Sequence, residues 1–147
     1  MSNGSAGGTL IDKLKDLLVR HEGLRLKPYL CPAGKLTIGV GRNLEDVGIT
    51  EREAHYMLAG DIVRCVGQAQ AFPWYEGLTA ARRDVVICMI FNLGLAGFKG
   101  FKNMHAAMAG GNYLQASREM LNSKWATQVG NRAIELAEMM RTGHYPI

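Results

Sequence analysis

Between Leu10 and Leu18 the apolar residues Leu10, Ile11, Leu14, Leu17 and Leu18 recur at three- and four-residue steps, while Asp12, Lys13, Lys15 and Asp16 occupy the remaining arc. That is the helical period, and it predicts an amphipathic helix ending near His21, with Gly23 as its stop. The period then changes to two. Leu36, Ile38 and Val40 alternate with Lys35, Thr37 and Gly39, which predicts a strand with Thr37 on the face opposite the aliphatics. Pro32-Ala33-Gly34 supplies a turn ahead of that strand, and residues from about Arg25 to Leu30 make the other arm of a hairpin.

Further along, the helical period dominates. Thr50-Glu51-Arg52-Glu53 pairs a hydroxyl with a glutamate three residues later, the capping-box arrangement, and opens a helix to about Gln70 that Phe72-Pro73-Trp74 ends. Thr79 is a second start signal. It leads into Val85-Val86-Ile87-Cys88-Met89-Ile90-Phe91, apolar on every side, so this helix is expected at the centre with the body packed around it. Glycines 94, 97 and 100 break the chain before a helix near Phe101 to Ala109. Gly110-Gly111-Asn112 turns into another, and Asn131 is the expected cap of a last helix reaching about Arg141. There is no internal repeat. The fold class is α+β and predominantly α-helical, with a small N-terminal β-hairpin lobe and a larger helical lobe. A chain of 147 residues, 48% hydrophobic, suffices for one core, so a single domain over residues 9–147 is expected behind a flexible glycine- and serine-rich tail of residues 1–8.

Charge narrows the partners only a little. Seventeen basic against thirteen acidic residues leave +4, which suits an anionic polymer or surface without choosing one. No uninterrupted apolar run nears the roughly 20 residues that span a bilayer, so no signal peptide, anchor or stable membrane insertion is expected. Cys31, Cys65 and Cys88 are odd in number and fit no zinc or redox spacing, which argues against a disulfide framework. The histidines at 21, 55, 105 and 144 are scattered and expected at the surface, so no metal is called for. Gly39-Val40-Gly41 lacks the third glycine of a dinucleotide fingerprint, and no phosphate-binding loop is present. No cofactor and no nucleic acid are expected. The methionines read as core filler, and Trp74 and Trp125 as half-buried anchors or sugar-stacking rings.

The candidate chemistry lies between Glu22 and Thr37. Glycosidic hydrolysis needs an acid to protonate the leaving oxygen and a second group to direct water or attack the sugar. Glu22 falls at the C-terminal end of the first helix, where the free carbonyls disfavour a carboxylate and help to keep the acid protonated. The hairpin can fold Cys31 and Thr37 back toward it, while Gly39 and Gly41 leave the backbone bare for a sugar ring. On spacing alone the plainer reading wins: a solvated glutamate, a half-buried thiol and a threonine chosen for its strand propensity.

The motif changes that balance. His21-Glu22-Gly23-Leu24-Arg25-Leu26-Lys27-Pro28-Tyr29, then Cys31, then Gly34-Lys35-Leu36-Thr37-Ile38-Gly39-Val40-Gly41, resembles the active-site segment of phage-type lysozymes, the muramidases of glycoside hydrolase family 24. A glutamate, eight residues, an aspartate or cysteine, five residues and a threonine fit Glu22, Cys31 and Thr37 without a gap. Phe91-Asn92-Leu93-Gly94 is similar to the end of that family's central helix. Trp125-Ala126-Thr127-Gln128, Asn131-Arg132-Ala133 and Arg141-Thr142-Gly143 are similar to its C-terminal region. The resemblance implies a lysozyme-like fold and cleavage of the β-1,4 bond between N-acetylmuramic acid and N-acetylglucosamine, without metal or cofactor. It makes Glu22 the acid and assigns Cys31 and Thr37 to the attacking water, with inversion. It puts Asn92, Arg132 and Gly39 on the substrate, Arg132 or Asn92 also pairing with the glutamate. A neutral thiol is a poor base, so Cys31 is expected to do less than an aspartate would. Arg42 stands where the family commonly has a histidine, which puts a stabilising contact there in doubt.

The partner implied is bacterial peptidoglycan, met by a monomer. As an endolysin the protein would wait in the host cytoplasm until released to the wall and cause lysis. Two other readings stay open: the lytic domain of a virion protein, and a glycan-binding module on the same fold without catalysis. A cationic membrane-disrupting role for the last helices is weakened by Glu135 and Glu138.

Overall fold

The computed structural model describes residues 8–146, so the tail expected over residues 1–8 lies outside the described residues except for Gly8. The chain divides into two compact units, one up to His55 and one from Tyr56 onward.

In the first unit, α1 (Leu10–Glu22) opens with a reciprocal capping box between Thr9 and Asp12 and closes where the Gly23 amide donates to the Val19 carbonyl at 2.8 Å. No residue of α1 is buried, and its apolar stripe is open, Leu10 being 86% exposed. Strands β1 (Arg25–Leu30) and β2 (Leu36–Gly39) pair antiparallel with Tyr29 opposite Thr37 and Leu30 opposite Leu36. A short strand β3 (Arg42–Asn43) adds to β2, so the expected hairpin is a three-stranded sheet. Two residues are too few to show a period, which is why the alternation did not reveal it. Val40 falls beyond β2, and burial along the strand runs opposite to the aliphatic pattern: Thr37 is 3% exposed and Leu36 39%. The Thr37 hydroxyl tolerates this because it donates to the Lys35 carbonyl at 2.8 Å.

Arg42 does have a partner. Its guanidinium grips the Glu53 carboxylate with two hydrogen bonds of 2.9 and 2.7 Å and donates a third to the Gly48 carbonyl, pinning the connection from β3 to the next helix. Glu53 also completes the expected capping box with Thr50. The Arg42 hydrogen bonds, followed by the Thr50 amide, hold the Glu53 carboxyl down at about 2.

Helix α2 (Glu51–Ala69) leads into the second unit, followed by α3 (Ala80–Lys99), α4 (Lys102–Ala109), α5 (Tyr113–Leu121), α6 (Lys124–Val129) and α7 (Asn131–Thr142). The buried hydrophobic cluster lies in this unit. Val85, Val86, Met89 and Ile90 on α3 are buried as expected of a central helix, but Cys88 is exposed and Phe91 48% exposed, so α3 presents one side outward. Among the three glycines, only Gly94 interrupts the helix: its φ of +77° with ψ of 161° is open almost exclusively to glycine, whereas Gly97 is helical and Gly100 is the C-cap. Helix α6 was not legible in the apolar pattern; its local signal is Ser123, whose hydroxyl accepts from the Ala126 amide at 3.1 Å. Because Gly130 turns α6 directly into α7, Asn131 is the first residue of α7 and not its cap.

The other end of α7 is held by Arg82 of α3, whose guanidinium donates to the Met140 and Arg141 carbonyls at 2.7 and 3.0 Å while lying 3.8 Å from the Tyr113 ring centroid. Met89, Met104, Met108, Met120, Met139 and Met140 fill the core, whereas Met57 is 50% exposed. His105 departs from the surface expectation: it is half-buried, bonded through Nε2 to the Phe98 carbonyl at 2.8 Å. Among the described residues no single helix is long and apolar enough to cross a membrane; α3 and α4 together pass that test but are bent by 100°.

Candidate active site

Glu22 is the last residue of α1 and exposed. Its carboxylate lies against the backbone of Gly41 in the turn between β2 and β3: a Cβ built on Gly41 would sit 2.9 Å from Glu22 Oε1. Gly41 also has a φ of +66°, so both the turn and the close approach require a residue without a side chain. Gly39, likewise at positive φ, has no atom within 4 Å of a built Cβ and leaves open space over the end of β2.

Cys31 is half-buried in the hairpin turn, where its amide donates to the Lys35 carbonyl at 3.0 Å and its carbonyl accepts from the Gly34 amide at 2.8 Å. The Lys35 amide, with lesser help from the Ala33 amide and the Thr37 hydroxyl, draws the thiol below its ordinary range against the opposing effect of desolvation. Thr37 is buried on β2, its hydroxyl donating to the Lys35 carbonyl at the mouth of the same turn. The first unit thus holds Glu22, Cys31, Thr37 and Gly39 on α1, the hairpin turn and β2.

Asn92 and Arg132 belong to the second unit, where both line a groove of about 650 Å³ walled by Ile62, Ile87, Phe91 and Leu136. The Oδ1 of Asn92 accepts from Trp125 Nε1 at 2.8 Å, which fixes the amide plane. Trp125 is therefore a buried anchor. Asp84 and Tyr145 also line the groove, the tyrosine hydroxyl donating to the carboxylate, and this bond lifts Tyr145 to about 12. Partial desolvation and then the Asp84 charge push the Cys88 thiol up. Nothing in the linear sequence announced Asp84 or Tyr145, which stand 61 positions apart. Among the described residues no cluster of histidine, cysteine and carboxylate side chains could hold a metal ion.

A helix-end glutamate set on a glycine turn, next to a small antiparallel sheet and followed by a helical body, defines a lysozyme-like α+β protein. Comparison with known proteins gives the family: residues 19–141 match the phage lysozyme family, and the chain belongs to it. It is 33% identical over 114 residues to the endolysin of Acyrthosiphon pisum secondary endosymbiont phage 1, covering 75% of each chain. It is 25% identical over 164 residues to a probable T4-type lysozyme of Dictyostelium discoideum, covering 91% of this chain and 96% of the relative. The pre-baseplate central spike protein of Enterobacteria phage T4 is also similar, 25% identical over 160 residues, which are 89% of this chain and 28% of that one. The chain is accordingly a lysozyme-type peptidoglycan hydrolase, a glycosidase.

Proposed function

We propose that residues 9–147 act as one catalytic domain, an N-acetylmuramidase that cleaves the β-1,4 bond between N-acetylmuramic acid and N-acetylglucosamine and lyses bacteria as an endolysin. The observation that carries this reading is the Glu22 carboxylate seated on the bare Gly41 backbone, in the same unit as Cys31 of the hairpin turn and Thr37 of β2. Glu22 protonates the departing glycosidic oxygen. Water attacks the anomeric carbon from the opposite face, its proton passing toward Cys31 while Thr37 holds it in place, and the anomeric configuration inverts. The lowered thiol supports a larger share for Cys31 than an ordinary cysteine would have. Gly39 gives a sugar ring access to backbone, and the Asn92 amide and the Arg132 guanidinium bind glycan along the groove they line.

The test is turbidity loss of outer-membrane-permeabilised bacteria with the wild type and with Glu22→Gln, both shown to be folded by circular dichroism. Clearing by the wild type and none by the variant is expected, with the new reducing ends on muramic acid and inverted when first formed. Equal clearing by both would overturn the assignment of Glu22, and no clearing by either would favour a glycan-binding module. The similarity to a central spike protein supports a second reading, a wall-penetrating domain of a virion protein. Finding the protein in purified particles would favour that reading over the endolysin.

A further inference from the structure

Apart from the candidate active site, the second unit carries a groove of about 550 Å³ lined by Phe72, Pro73, Trp74, His105, Ala106 and Ala109. Its first wall is the turn after α2. Successive backbone bonds, Phe72 to the Ala69 carbonyl at 3.0 Å, Tyr75 to Phe72 at 3.0 Å and Leu78 to Tyr75 at 3.1 Å, make that turn rigid. Phe72 and Trp74 stack there with centroids 5.0 Å apart and planes 18° from parallel. The second wall is one face of α4, where positions 105, 106 and 109 fall together. His105 tilts against both rings, at 5.0 Å from Phe72 and 5.6 Å from Trp74, and is fixed by its Nε2 bond to the Phe98 carbonyl. Among the described residues its Nδ1 has no protein partner.

We propose that this groove is a second glycan-binding site that holds the uncut polysaccharide of the wall while the active site works elsewhere on it. No charged side chain lines the groove, which disfavours phosphate, nucleic-acid and acidic-peptide ligands. What it offers is a pair of half-buried aromatic rings, one imidazole nitrogen and floor space left by two alanines. A pyranose is the matching solute: neutral, with polarised C–H bonds on one face that settle on the electron-rich face of an aromatic ring, and hydroxyl and acetamido groups around the edge for the imidazole. The volume is within the range of about 300–1,000 Å³ typical of small-ligand sites. Because the rings are braced against the buried Phe98, at 5.5 and 6.4 Å, they are ordered before any ligand arrives, and little conformational entropy is lost on binding.

The choice of wall glycan rests on the muramidase reading, but the groove can be tested without catalysis. The probe is the soluble β-1,4 tetramer of N-acetylglucosamine, titrated into the full chain carrying Glu22→Gln and followed by the NMR resonances of His105, Ala106 and Ala109. Saturable shifts at these three residues are expected, and Trp74→Ala should remove them. Ala106→Leu occupies the groove while leaving every aromatic side chain in place and should abolish the shifts at His105 and Ala109, which keeps the test valid if Trp74→Ala fails to fold. In the chain with Glu22 intact, either variant should weaken retention on insoluble peptidoglycan by about three- to tenfold. Cleavage of short soluble glycan should change less than about twofold. Unshifted resonances at millimolar tetramer, or Ala106→Leu retained on peptidoglycan like the wild type, would overturn the proposal. A wild type that shows these shifts yet cuts no glycan would overturn the muramidase reading and leave the groove standing.

Discussion

At the residue scale the site depends on one missing methyl group. A Cβ at Gly41 would come within 2.9 Å of Glu22 Oε1, in a backbone region that already disfavours side chains. Gly41→Ala should therefore push the carboxylate aside and lower the rate of wall cleavage by about 10²-fold while the helical circular dichroism is kept. Activity within a factor of two of wild type would show that the contact does not position the acid. The cysteines give a pH-dependent prediction, since alkylation by iodoacetamide follows the thiolate. Cys31, whose thiol is drawn down by the Lys35 amide, should react at lower pH than a free cysteine. Cys88, pushed up by desolvation and Asp84, should react only at higher pH, whereas Cys65, shut off from the reagent by burial, should stay unlabelled while the protein is folded. Peptide mass spectrometry across pH checks the order, and Cys88 labelled before Cys31 would contradict the turn geometry. The spacing of Glu22, Cys31 and Thr37 was legible in the chain because it is a local motif. The seat of the Glu22 carboxylate on Gly41 was not, because that contact joins the end of a helix to a turn 19 residues away.

At the element scale, the starts and stops that were read rest on caps within four residues of the group that they satisfy. Thr50 with Glu53 and the stop at Gly23 are of this kind. Failures have equally local causes. Three nearby glycines look alike in sequence, yet only Gly94 takes a positive φ, and α6 is too short to show an apolar stripe. Gly94→Ala should cost about 1–3 kcal/mol in chemical denaturation, because the new side chain cannot adopt that conformation without strain. Gly97→Ala, at a helical position, should cost less, although its Cβ would press on the Leu93 side chain at 3.1 Å. Equal destabilisation by the two would mean that the kink carries no special conformational demand.

At the scale of the whole molecule, a net charge of +4 meets an insoluble anionic polymer. Raising the salt from about 0.1 to about 1 M shrinks the Debye length from about 10 to about 3 Å, so cleavage of intact walls at low enzyme concentration should slow several-fold. Cleavage of a short neutral oligosaccharide should barely change, and a parallel loss on both substrates would show that salt acts on the chemistry and not on the encounter. The sequence by itself determined what depends on near neighbours: the change of period from helix to strand and back, the capped helix starts and the Glu22, Cys31 and Thr37 spacing. It also sufficed for the family resemblance, since motif residues lie in order along the chain. Only the tertiary structure decided which side of the apolar run Val85 to Phe91 of α3 faces out, because a segment apolar on every side carries no directional signal. It alone paired Trp125 with Asn92, Arg42 with Glu53 and Arg82 with the end of α7. Those partners are chosen by where segments meet once each unit has folded, and no local pattern encodes that meeting.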